Sequence, residues 1–496
     1  MISFLYEVIC YIRNPIIHYE RSIDFMLLIK NGYVIDPRSG RNGIYDILIK
    51  DNKIKKIDSF IMEMDLSEED RQNLQVIYAD NMMIAPGLVD VHVHFRDPGF
   101  TYKEDIYTGA KAAAKGGFTT VVMMANTKPT IDNVDTLEYV LGKGAETDIH
   151  VLSCASITKG LQGQELTDMN LLKDKGAVGF TDDGIPMMDE NMVITAMQKA
   201  KELQVPLSFH EENANLITNN GINHGEASAY YEIEGSPRGA EIDMIYRDLN
   251  LATKLDAPIN IQHISSKEGV ELVRQAKMEQ IENHHLVLPL PRSKEDLTDI
   301  SDVHDNNTSL TQIIPMEIAQ AITIHAEATP HHFSLNEQAA IQHGTMAKMN
   351  PPLRTEQDRL AIIQGLKDNT IDIIATDHAP HSAEEKSKPI TEAPSGIIGL
   401  ETSLSLGITN LVKPGYLTYS ELIEKMTINP ATMYHLDCGY IEENGPADLI
   451  IFNDKPHTYD SFVSKASNSP FLGETLFGEV QYTICDGRIV YVHSDK

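Results

Sequence analysis

Between residues 84 and 440, apolar runs with the length of buried β-strands alternate with stretches of helical pattern. A strand followed by a helix, repeated along the chain, is typical of a parallel sheet covered by helices. The pattern predicts an α/β fold, a (β/α)8 TIM barrel, in which reactive side chains gather at the carboxyl ends of the strands. The eight predicted strands end near His94, Met124, Cys154, Thr181, His210, His263, Ala328 and Asp377.

Both ends of the chain lack this alternation of strands and helices and have short β-rich runs separated by turn residues. Asn31-Gly32 and Asp51-Asn52 are typical of hairpin turns, and Asp486-Gly487 has the same chemistry near the C-terminus. We therefore expect the two ends to pair into one small β domain. The predicted organisation is an N-terminal extension over 1–25, with Met26 as an alternative start, a β domain over 26–83 and 441–496, and a catalytic barrel over 84–440.

One polar segment, residues 279–321, interrupts the alternation between the sixth and seventh strands. It contains Pro289, Pro291 and several acidic residues. Loops longer than about 12 to 15 residues are usually lids, interaction surfaces or disordered segments. We expect a solvated insertion without a catalytic role.

Composition and charge narrow the classes of function. The net charge of −31 at pH 7 argues against a nucleic acid or an anionic membrane as partner, because phosphate binding needs a basic surface. No apolar run reaches the roughly 20 residues of a membrane span, and the first residues lack the pattern of a signal peptide. The 4 cysteines have no Cys-x-x-Cys spacing, so neither a disulfide framework nor a cysteine zinc site is expected. A cytoplasmic protein that binds a small molecule fits these features.

The first predicted barrel strand ends in a His-x-His pair. Alternate side chains of a strand share a face, so Asp90, His92, His94 and Arg96 are expected to point the same way. Two imidazoles on one face can bind one metal ion, although an isolated pair of this kind is more often structural. The charged Arg96 and Asp97 that follow favour a polar site at the strand end.

Other strand ends supply more candidate ligands. Asp182-Asp183 follows the fourth strand, and one of these two carboxylates can face the barrel mouth. Taken singly, each such residue is more often structural. Together they offer imidazole and carboxylate ligands from five strand ends, a mixture that Zn²⁺ accepts. The predicted metal ligands are His92, His94, Asp183, His210, His263 and Asp377.

With these motifs the chain resembles the amidohydrolase superfamily and, within it, the bacterial type of dihydroorotase. That family carries the motifs Asp-Val-His-Val-His-x-Arg and Ala-Thr-Asp-His-Ala-Pro-His, which occur here at 90–96 and 375–381. The resemblance extends from Met26 to Val492. It implies a barrel of the amidohydrolase type and a zinc-dependent, reversible cyclisation of N-carbamoyl-L-aspartate to L-dihydroorotate in de novo pyrimidine (UMP) biosynthesis. Further matching stretches are Ala125–Pro129, Phe180–Gly184, Lys348–Arg354 and Gly396–Thr402.

The resemblance also implies a role for each motif residue. His92 and His94 would bind one Zn²⁺ and His210 and His263 a second, with Asp183 as the bridge between the two ions. Asp377 would bind the first ion and act as the catalytic residue that moves the proton. Arg96 and His381 are expected near the carboxylate of the substrate. The full set of implied substrate contacts is His94, Arg96, Asn126, Asn350, His381, Ser395 and Gly396.

The chain departs from the family pattern at two positions in these motifs. Ala125 stands where the family usually has Pro, and Ser395 stands where an aromatic residue is common. Neither is a proposed metal ligand, so these differences bear on the shape of the pocket.

Two alternatives stay open at the level of sequence. Dihydropyrimidinases, hydantoinases and allantoinases share the fold, but usually bridge their metals with a carboxylated Lys on the fourth strand. Here the nearest lysines, Lys173 and Lys175, precede that strand, and Lys175 lies about 26 Å of extended chain before Asp183, at roughly 3.3 Å per residue. The second alternative is a non-catalytic homologue that scaffolds aspartate transcarbamoylase, but such homologues typically lack zinc ligands. A homodimer and an association with aspartate transcarbamoylase are the expected protein partners.

Overall fold

The computed structural model describes residues 25–286 and 322–494. Residues 1–24 of the predicted extension lie outside this part of the chain, as do residues 287–321 of the predicted insertion. Residues 279–283, at the start of that segment, form the end of a helix.

The strands of the described residues belong to a barrel and to a sheet built from both chain ends. The N-terminal part of the sheet has β1 (Met26–Asp36), β2 (Arg41–Lys50), β3 (Lys53–Asp58), β4 (Leu74–Tyr78) and β5 (Met83–Pro86). The barrel has β6 (Leu88–Val93), β7 (Phe118–Met123), β8 (His150–Ser153), β9 (Phe180–Thr181), β10 (Leu207–Phe209), β11 (Ile259–Ile261), β12 (Ile324–Ala328) and β13 (Ile373–Ile374). The C-terminal part of the sheet has β14 (Leu449–Thr458), β15 (Thr475–Cys485) and β16 (Arg488–Val492).

The eight strands β6 to β13 form a closed parallel barrel. Two ladders, β6-β7-β8 and β9 through β13, are joined by single parallel bridges from Ala155 to Phe180 and from Val93 to His378. The backbone N–H of His94 donates to the carbonyl of His378 at 2.9 Å, which closes the barrel between β6 and β13. The eight predicted strands are confirmed, each ending within a few residues of its predicted position.

The sheet of the chain ends has the order β16-β15-β14-β5-β1-β2-β3, with β4 paired to β1. Strand β5 pairs with β1 on one side and with β14 on the other, so it joins the two ends of the chain. Buried Ile29, Ile49, Ile84 and Ile451 form part of the apolar core of this sheet. The prediction of one β unit built from both chain ends is therefore confirmed.

One predicted turn of this sheet is wrong. The dipeptide Asn31-Gly32 lies inside β1, where the register with β2 shifts in a β-bulge. Asn31 takes a left-handed φ of 60°, and a Cβ atom on Gly32 would lie 2.3 Å from Cδ1 of Ile84, so glycine allows Ile84 to pack there. The turns at Asp51-Asn52 and Asp486-Gly487 do join β2 to β3 and β15 to β16, as predicted.

Helices follow the barrel strands and begin at side chains that cap them. Asp105, Asn133, Asp189, Ser266 and Thr355 each accept a hydrogen bond from a backbone N–H of the first turn, which satisfies a donor that the helix leaves unpaired. No helix of the described ranges has the length and apolar character required to cross a membrane.

The described α-helices are α1 (Glu68–Gln72), α2 (Ile106–Lys115), α3 (Val134–Gly144), α4 (Met169–Asp174), α5 (Glu190–Leu203), α6 (Glu226–Tyr230), α7 (Arg238–Leu255), α8 (Lys267–Asn283), α9 (Pro330–Ser334), α10 (Gln338–His343), α11 (Glu356–Lys367), α12 (Ala383–Lys386), α13 (Ser403–Gly407), α14 (Tyr419–Met426) and α15 (Ile428–Met433). Short 3₁₀ turns lie at Glu63–Asp65, Lys159–Leu161, Ala214–Leu216 and Gly344–Ala347, and a π-helical turn at Ile408–Val412.

Candidate metal centre and active site

The carboxyl ends of five barrel strands bring the six predicted ligands together. His92 belongs to β6, and the others follow directly or within three residues of the strands β6, β9, β10, β11 and β13. None of the six is more than 7% exposed. Two of them sit where the backbone bends into the left-handed region, His263 with a φ of 31° and Asp377 with a φ of 48°. Such strained backbone is concentrated at functional sites.

Asp183 lies between the two pairs of histidines. Its Oδ1 is 3.5 Å from Nε2 of His92 and 3.7 Å from Nδ1 of His210. Nε2 of His263 is 4.0 Å from the same oxygen. The other oxygen, Oδ2, is 3.5 Å from Nε2 of His94. One carboxylate therefore faces four imidazoles.

Asp377 forms its ion pairs with the first pair of histidines. Its Oδ1 is 3.0 Å from Nε2 of His94 and 3.6 Å from Nε2 of His92. His210 and His263 contact each other instead, with 2.9 Å between Nδ1 of His210 and Nε2 of His263.

The donor atoms fit a centre of divalent metal ions. Ligand atoms of His92, Asp183 and His263 lie within 4.8 Å of one another, and so do those of His92, His94 and Asp377. Nε2 of His92 is buried and has no hydrogen-bond partner among the described residues. A buried polar atom without a partner is costly, and a metal ion would satisfy this nitrogen. Imidazole and carboxylate donors suit Zn²⁺.

The electrostatics of the two aspartates favour their charged forms. Burial opposes ionisation of Asp183, but the neighbouring imidazole of His92 keeps the pKa of this carboxyl well below its usual range. Burial also opposes ionisation of Asp377, and its hydrogen bond to His94 keeps the pKa of that carboxyl low. Both side chains are therefore carboxylates, the form that binds a metal or accepts a proton.

A buried glutamate that the sequence analysis missed orients His92. Oε2 of Glu327, on β12, lies 3.1 Å from Nδ1 of His92, and Asn260 donates to the other carboxylate oxygen. Histidines that bind metals commonly donate their second N–H to a carboxylate in this way, which fixes the ring and its tautomer. The sequence signal was a single Glu within the apolar run of β12.

Two neighbouring aspartates hold the scaffold of the site. Asp90 accepts hydrogen bonds from the backbone and hydroxyl groups of Thr376, which ties β6 to the chain that leads to Asp377. Asp182 accepts the backbone N–H groups of Ile157 and Thr158. These contacts explain why Asp90 and Asp182 are buried, so neither residue needs a role at the metal centre.

Two asparagines line the centre, one beside each pair of histidines. Oδ1 of Asn126 is 3.0 Å from Nδ1 of His94, and its Nδ2 donates to Oδ2 of Asp183 at 2.8 Å. Nδ2 of Asn350 donates to Glu212 at 2.8 Å and lies 3.3 Å from Nε2 of His210. Both asparagines thus contact side chains of the predicted ligand set.

Three predicted substrate contacts carry buried polar atoms without a partner in the described parts of the chain. These atoms are Nε of Arg96, Oδ1 of Asn350 and Oγ of Ser395. Arg96 lies beyond β6, which ends at Val93, and takes a left-handed φ of 59°, so strand alternation does not determine the direction of its side chain. Buried polar atoms are almost always hydrogen-bonded in proteins, so a polar ligand is the natural partner of these three.

His381, Ser395 and Gly396 form one wall. Nε2 of His381 lies 2.8 Å from the carbonyl oxygen of Ser395, and its Nδ1 lies 3.3 Å from Nζ of Lys103. Gly396 takes a φ of 113°, and a Cβ atom there would lie 2.6 Å from Cβ of Ala379, so this position requires glycine. Burial, followed by the charges of Arg96 and Lys103, lowers the pKa of His381 to about 2, so the ring is neutral.

His331 is a further residue that the sequence analysis did not identify. It follows β12, it is buried, and its Nε2 has no partner in the described structure. Burial lowers the pKa of His331 to about 4, against the opposing charge of Asp377. A neutral imidazole therefore lies within electrostatic reach of the metal ligands.

The two lysines near the fourth strand lie away from the centre. Nζ of Lys175 pairs with Glu138 at 2.9 Å, and Nζ of Lys173 donates to the carbonyl of Leu203. The residue between the two pairs of histidines is Asp183 and not a lysine.

Comparison with known proteins identifies the family. The sequence profile of the Dihydro-orotase-like family matches residues 81–269. The chain is 52% identical over 467 residues to a dihydroorotase of Clostridioides difficile (strain 630), covering 94% of this chain and 100% of the relative. It is 47% identical to a dihydroorotase of Lactococcus lactis subsp. lactis (strain IL1403), covering 94% of this chain and 99% of the relative.

Solved structures agree at the level of the fold. The L-hydantoinase (dihydropyrimidinase) of Arthrobacter aurescens superposes with a TM-score of 0.75 at 22% identity, covering 95% of this chain and 98% of that chain. A D-hydantoinase superposes with a TM-score of 0.74 at 19% identity, covering 94% and 95%. Since the relatives of higher identity span nearly the whole chain, this protein belongs to the dihydroorotase family.

Proposed function

We propose that this chain is a zinc-dependent dihydroorotase, which interconverts N-carbamoyl-L-aspartate and L-dihydroorotate in pyrimidine synthesis. Relatives of 46–52% identity over 94% of the chain bear that name, which supports the reaction. The observation that carries the proposal is the group of buried His and Asp donors with unpartnered polar atoms of Arg96, Asn350 and Ser395.

The proposed centre holds two Zn²⁺ ions. His92, His94 and Asp377 would hold the first, His210 and His263 the second, and Asp183 both. Bound there, the ions would make a water molecule nucleophilic near neutral pH and polarise the carbonyl that it attacks.

In the hydrolytic direction, the oxygen of water bonds to the ring carbonyl carbon of dihydroorotate and the ring C–N bond breaks. A carboxylate oxygen of Asp377 accepts the proton of the attacking water and delivers it to the departing nitrogen. Ring closure runs through the same steps in reverse. The carboxylate form of Asp377 is the form that can accept this proton.

The remaining side chains hold the substrate. The planar guanidinium of Arg96 matches a carboxylate with two parallel hydrogen bonds. Asn126 and Asn350 present amide groups beside the metal ligands, where they can orient the ring amide. His94, His381, Ser395 and Gly396 complete the proposed pocket.

A panel of cyclic amides tests the reaction. Purified protein loaded with Zn²⁺ should be given dihydroorotate, dihydrouracil, hydantoin and allantoin side by side, with metal analysis of the same preparation. We expect dihydroorotate to have the highest kcat/KM and about two equivalents of zinc per chain. Faster turnover of dihydrouracil or allantoin would contradict the proposal. Protein with neither metal nor turnover would instead support a scaffold for aspartate transcarbamoylase.

The assembly of the enzyme is a separate proposal. From the family resemblance we propose a cytoplasmic homodimer that can associate with aspartate transcarbamoylase. Light scattering of the protein alone, and then mixed with that enzyme, tests both contacts.

A further inference from the structure

Lys103 lies where two loops of the barrel mouth meet. It follows β6 in the first loop, whereas its partners Glu385 and His381 belong to the loop after β13. Nζ of Lys103 is 2.9 Å from Oε1 of Glu385 and 3.3 Å from Nδ1 of His381. The side chain of Lys103 is only 12% exposed. One ammonium group therefore connects the first and the last loop of the barrel.

The position of this ammonium is fixed by its neighbours. Oε1 of Glu385 also accepts a hydrogen bond from the hydroxyl of Tyr102 at 3.0 Å. Oε2 of Glu385 accepts from the backbone N–H of Ser382 at 3.0 Å, in the capping box of α12. Glu385 is thus held by both loops and in turn holds Lys103.

The contacts of His381 with Lys103 and with the Ser395 carbonyl agree on which ring nitrogen carries the proton. An ammonium group has three donors and no acceptor, so Nδ1 of His381 must accept. A neutral imidazole then carries its single proton on Nε2, which lies 2.8 Å from the carbonyl oxygen of Ser395 and can donate to it. Both ring nitrogens are used, and the bond to Ser395 fixes the wall that contains Gly396.

Two other lysines donate hydrogen bonds to backbone carbonyls of the same segment. Nζ of Lys386 donates to the carbonyls of Pro394 and Gly396 at 2.9 and 3.0 Å. Lys348 donates from Nζ to the carbonyl of Ala393 at 2.7 Å, and its own carbonyl accepts the N–H of Gly396 at 2.8 Å. These contacts do not involve a ring with two tautomers. Among the contacts of this segment with His381, Lys348 and Lys386, the bond from His381 is the one made by a ring with two tautomers.

We propose that Lys103 is a positioning residue, which sets the tautomer of His381 and through it fixes the Ser395–Gly396 wall of the substrate pocket. The proposal rests on the proposed dihydroorotase function for its kinetic consequences, but not for the tautomer. Charged groups that face His381 are Arg96, Lys103, Lys386 and Glu385. Without Lys103, Oε2 of Glu385, which lies 3.8 Å from Nδ1, would become an acceptor and favour a proton on Nδ1.

The test uses the full-length metal-loaded protein with ¹⁵N-labelled histidine. The ring signals of His381 are assigned by their loss in His381→Gln. In the wild type at pH 7 we expect a protonated Nε2 and an unprotonated Nδ1. Lys103→Met should move the proton from Nε2 to Nδ1, whereas Lys103→Arg, which keeps a donor, and Lys111→Met, an exposed lysine on α2, should keep the wild-type pattern.

Kinetics on the same samples complete the experiment. Loss of a charge-assisted hydrogen bond should raise KM for dihydroorotate about tenfold in Lys103→Met. We expect kcat to change less than about threefold and the zinc content to be unchanged. Lys103→Arg should recover most of the loss in KM.

Two outcomes would overturn the proposal: a wild-type His381 with its proton on Nδ1, or a Lys103→Met spectrum identical to that of the wild type. If Lys103→Met does not fold, the wild-type and Lys103→Arg spectra still decide the tautomer. A wild type that does not turn over dihydroorotate would refute the proposed function and leave the spectra as the test of Lys103.

Discussion

Two buried carboxylates of one site differ in what surrounds them. Asp183 faces imidazoles from both pairs of histidines, whereas Asp377 forms its ion pairs with His94 and His92. A carboxylate between two pairs of imidazoles, such as Asp183, can bind two metal ions. A carboxylate beside one pair, such as Asp377, can bind one metal ion and also exchange a proton with the substrate. Replacement of Asp183 and replacement of Asp377 should therefore have different effects on metal binding and on kcat.

Replacement of the two aspartates separates binding of metal from transfer of the proton. Asp183→Ala should lose zinc and activity together. Asp377→Asn should keep most of its zinc but lose about 10² to 10⁴ in kcat, because an amide cannot cycle a proton. Metal analysis and kinetics across pH on the same preparations measure both effects. If Asp377→Asn binds zinc and keeps wild-type kcat with the same acid-side pH dependence, then His378 or His381 becomes the candidate proton carrier.

Arg96 gives a second prediction at the scale of one residue. Arg96→Lys should lower kcat/KM for dihydroorotate at least about tenfold, because an ammonium cannot reproduce two parallel hydrogen bonds to a carboxylate. Zinc content should not change, since Arg96 is not a proposed ligand. Arg71→Lys, at an exposed position of α1, is the matched control. Equal kcat/KM in Arg96→Lys and the wild type would remove Arg96 from the substrate site.

At the scale of elements, the parts of the fold that depend on local pattern were predictable. Each barrel strand is an apolar run, and a polar residue directly after such a run marks the strand end, which is why His210 and Asp377 could be identified. The bulge at Asn31-Gly32 could not be predicted, because it depends on Ile84 from a neighbouring strand. Two-residue turn chemistry alone cannot distinguish a bulge from a hairpin.

Residues that act through distant partners were missed for the same reason. Glu327 orients His92 from 235 positions away in sequence, and Lys103 contacts His381 from 278 positions away. Neither stands in a motif with a spacing of its own. Strand alternation could not determine the orientation of Arg96, because β6 ends at Val93. Local patterns predicted the ligands, whereas the side chains that orient them required the tertiary structure.

At the scale of the whole molecule, ion pairs join the barrel to the sheet of the chain ends, and one of them contains a histidine. Nε2 of His150, at the start of β8, lies 3.2 Å from Oδ2 of Asp448, which precedes β14. Asp486, in the turn between β15 and β16, lies 3.9 Å from the same nitrogen. Burial opposes the charged ring, but the bond to Asp448 prevails and raises the pKa of His150 to about 8.

Because of this ion pair, the stability of the contact between barrel and sheet should depend on pH. The pKa of His150 is higher in the folded chain than the value of about 6.5 expected when unfolded, so its stabilisation is complete below pH 6.5 and is lost as pH rises through about 8. Because the side chain of His150 is 37% exposed, the pair should contribute at most about 1 kcal/mol.

His150→Gln should therefore lower Tm by about 1–3 °C at pH 6 and have little effect at pH 9. His343→Gln, at an exposed position, is the control, and thermal scans at one heating rate across this range measure the difference. A Tm difference between His150→Gln and the wild type that stays constant from pH 6 to pH 9 would show that the charge of His150 does not hold barrel and sheet together.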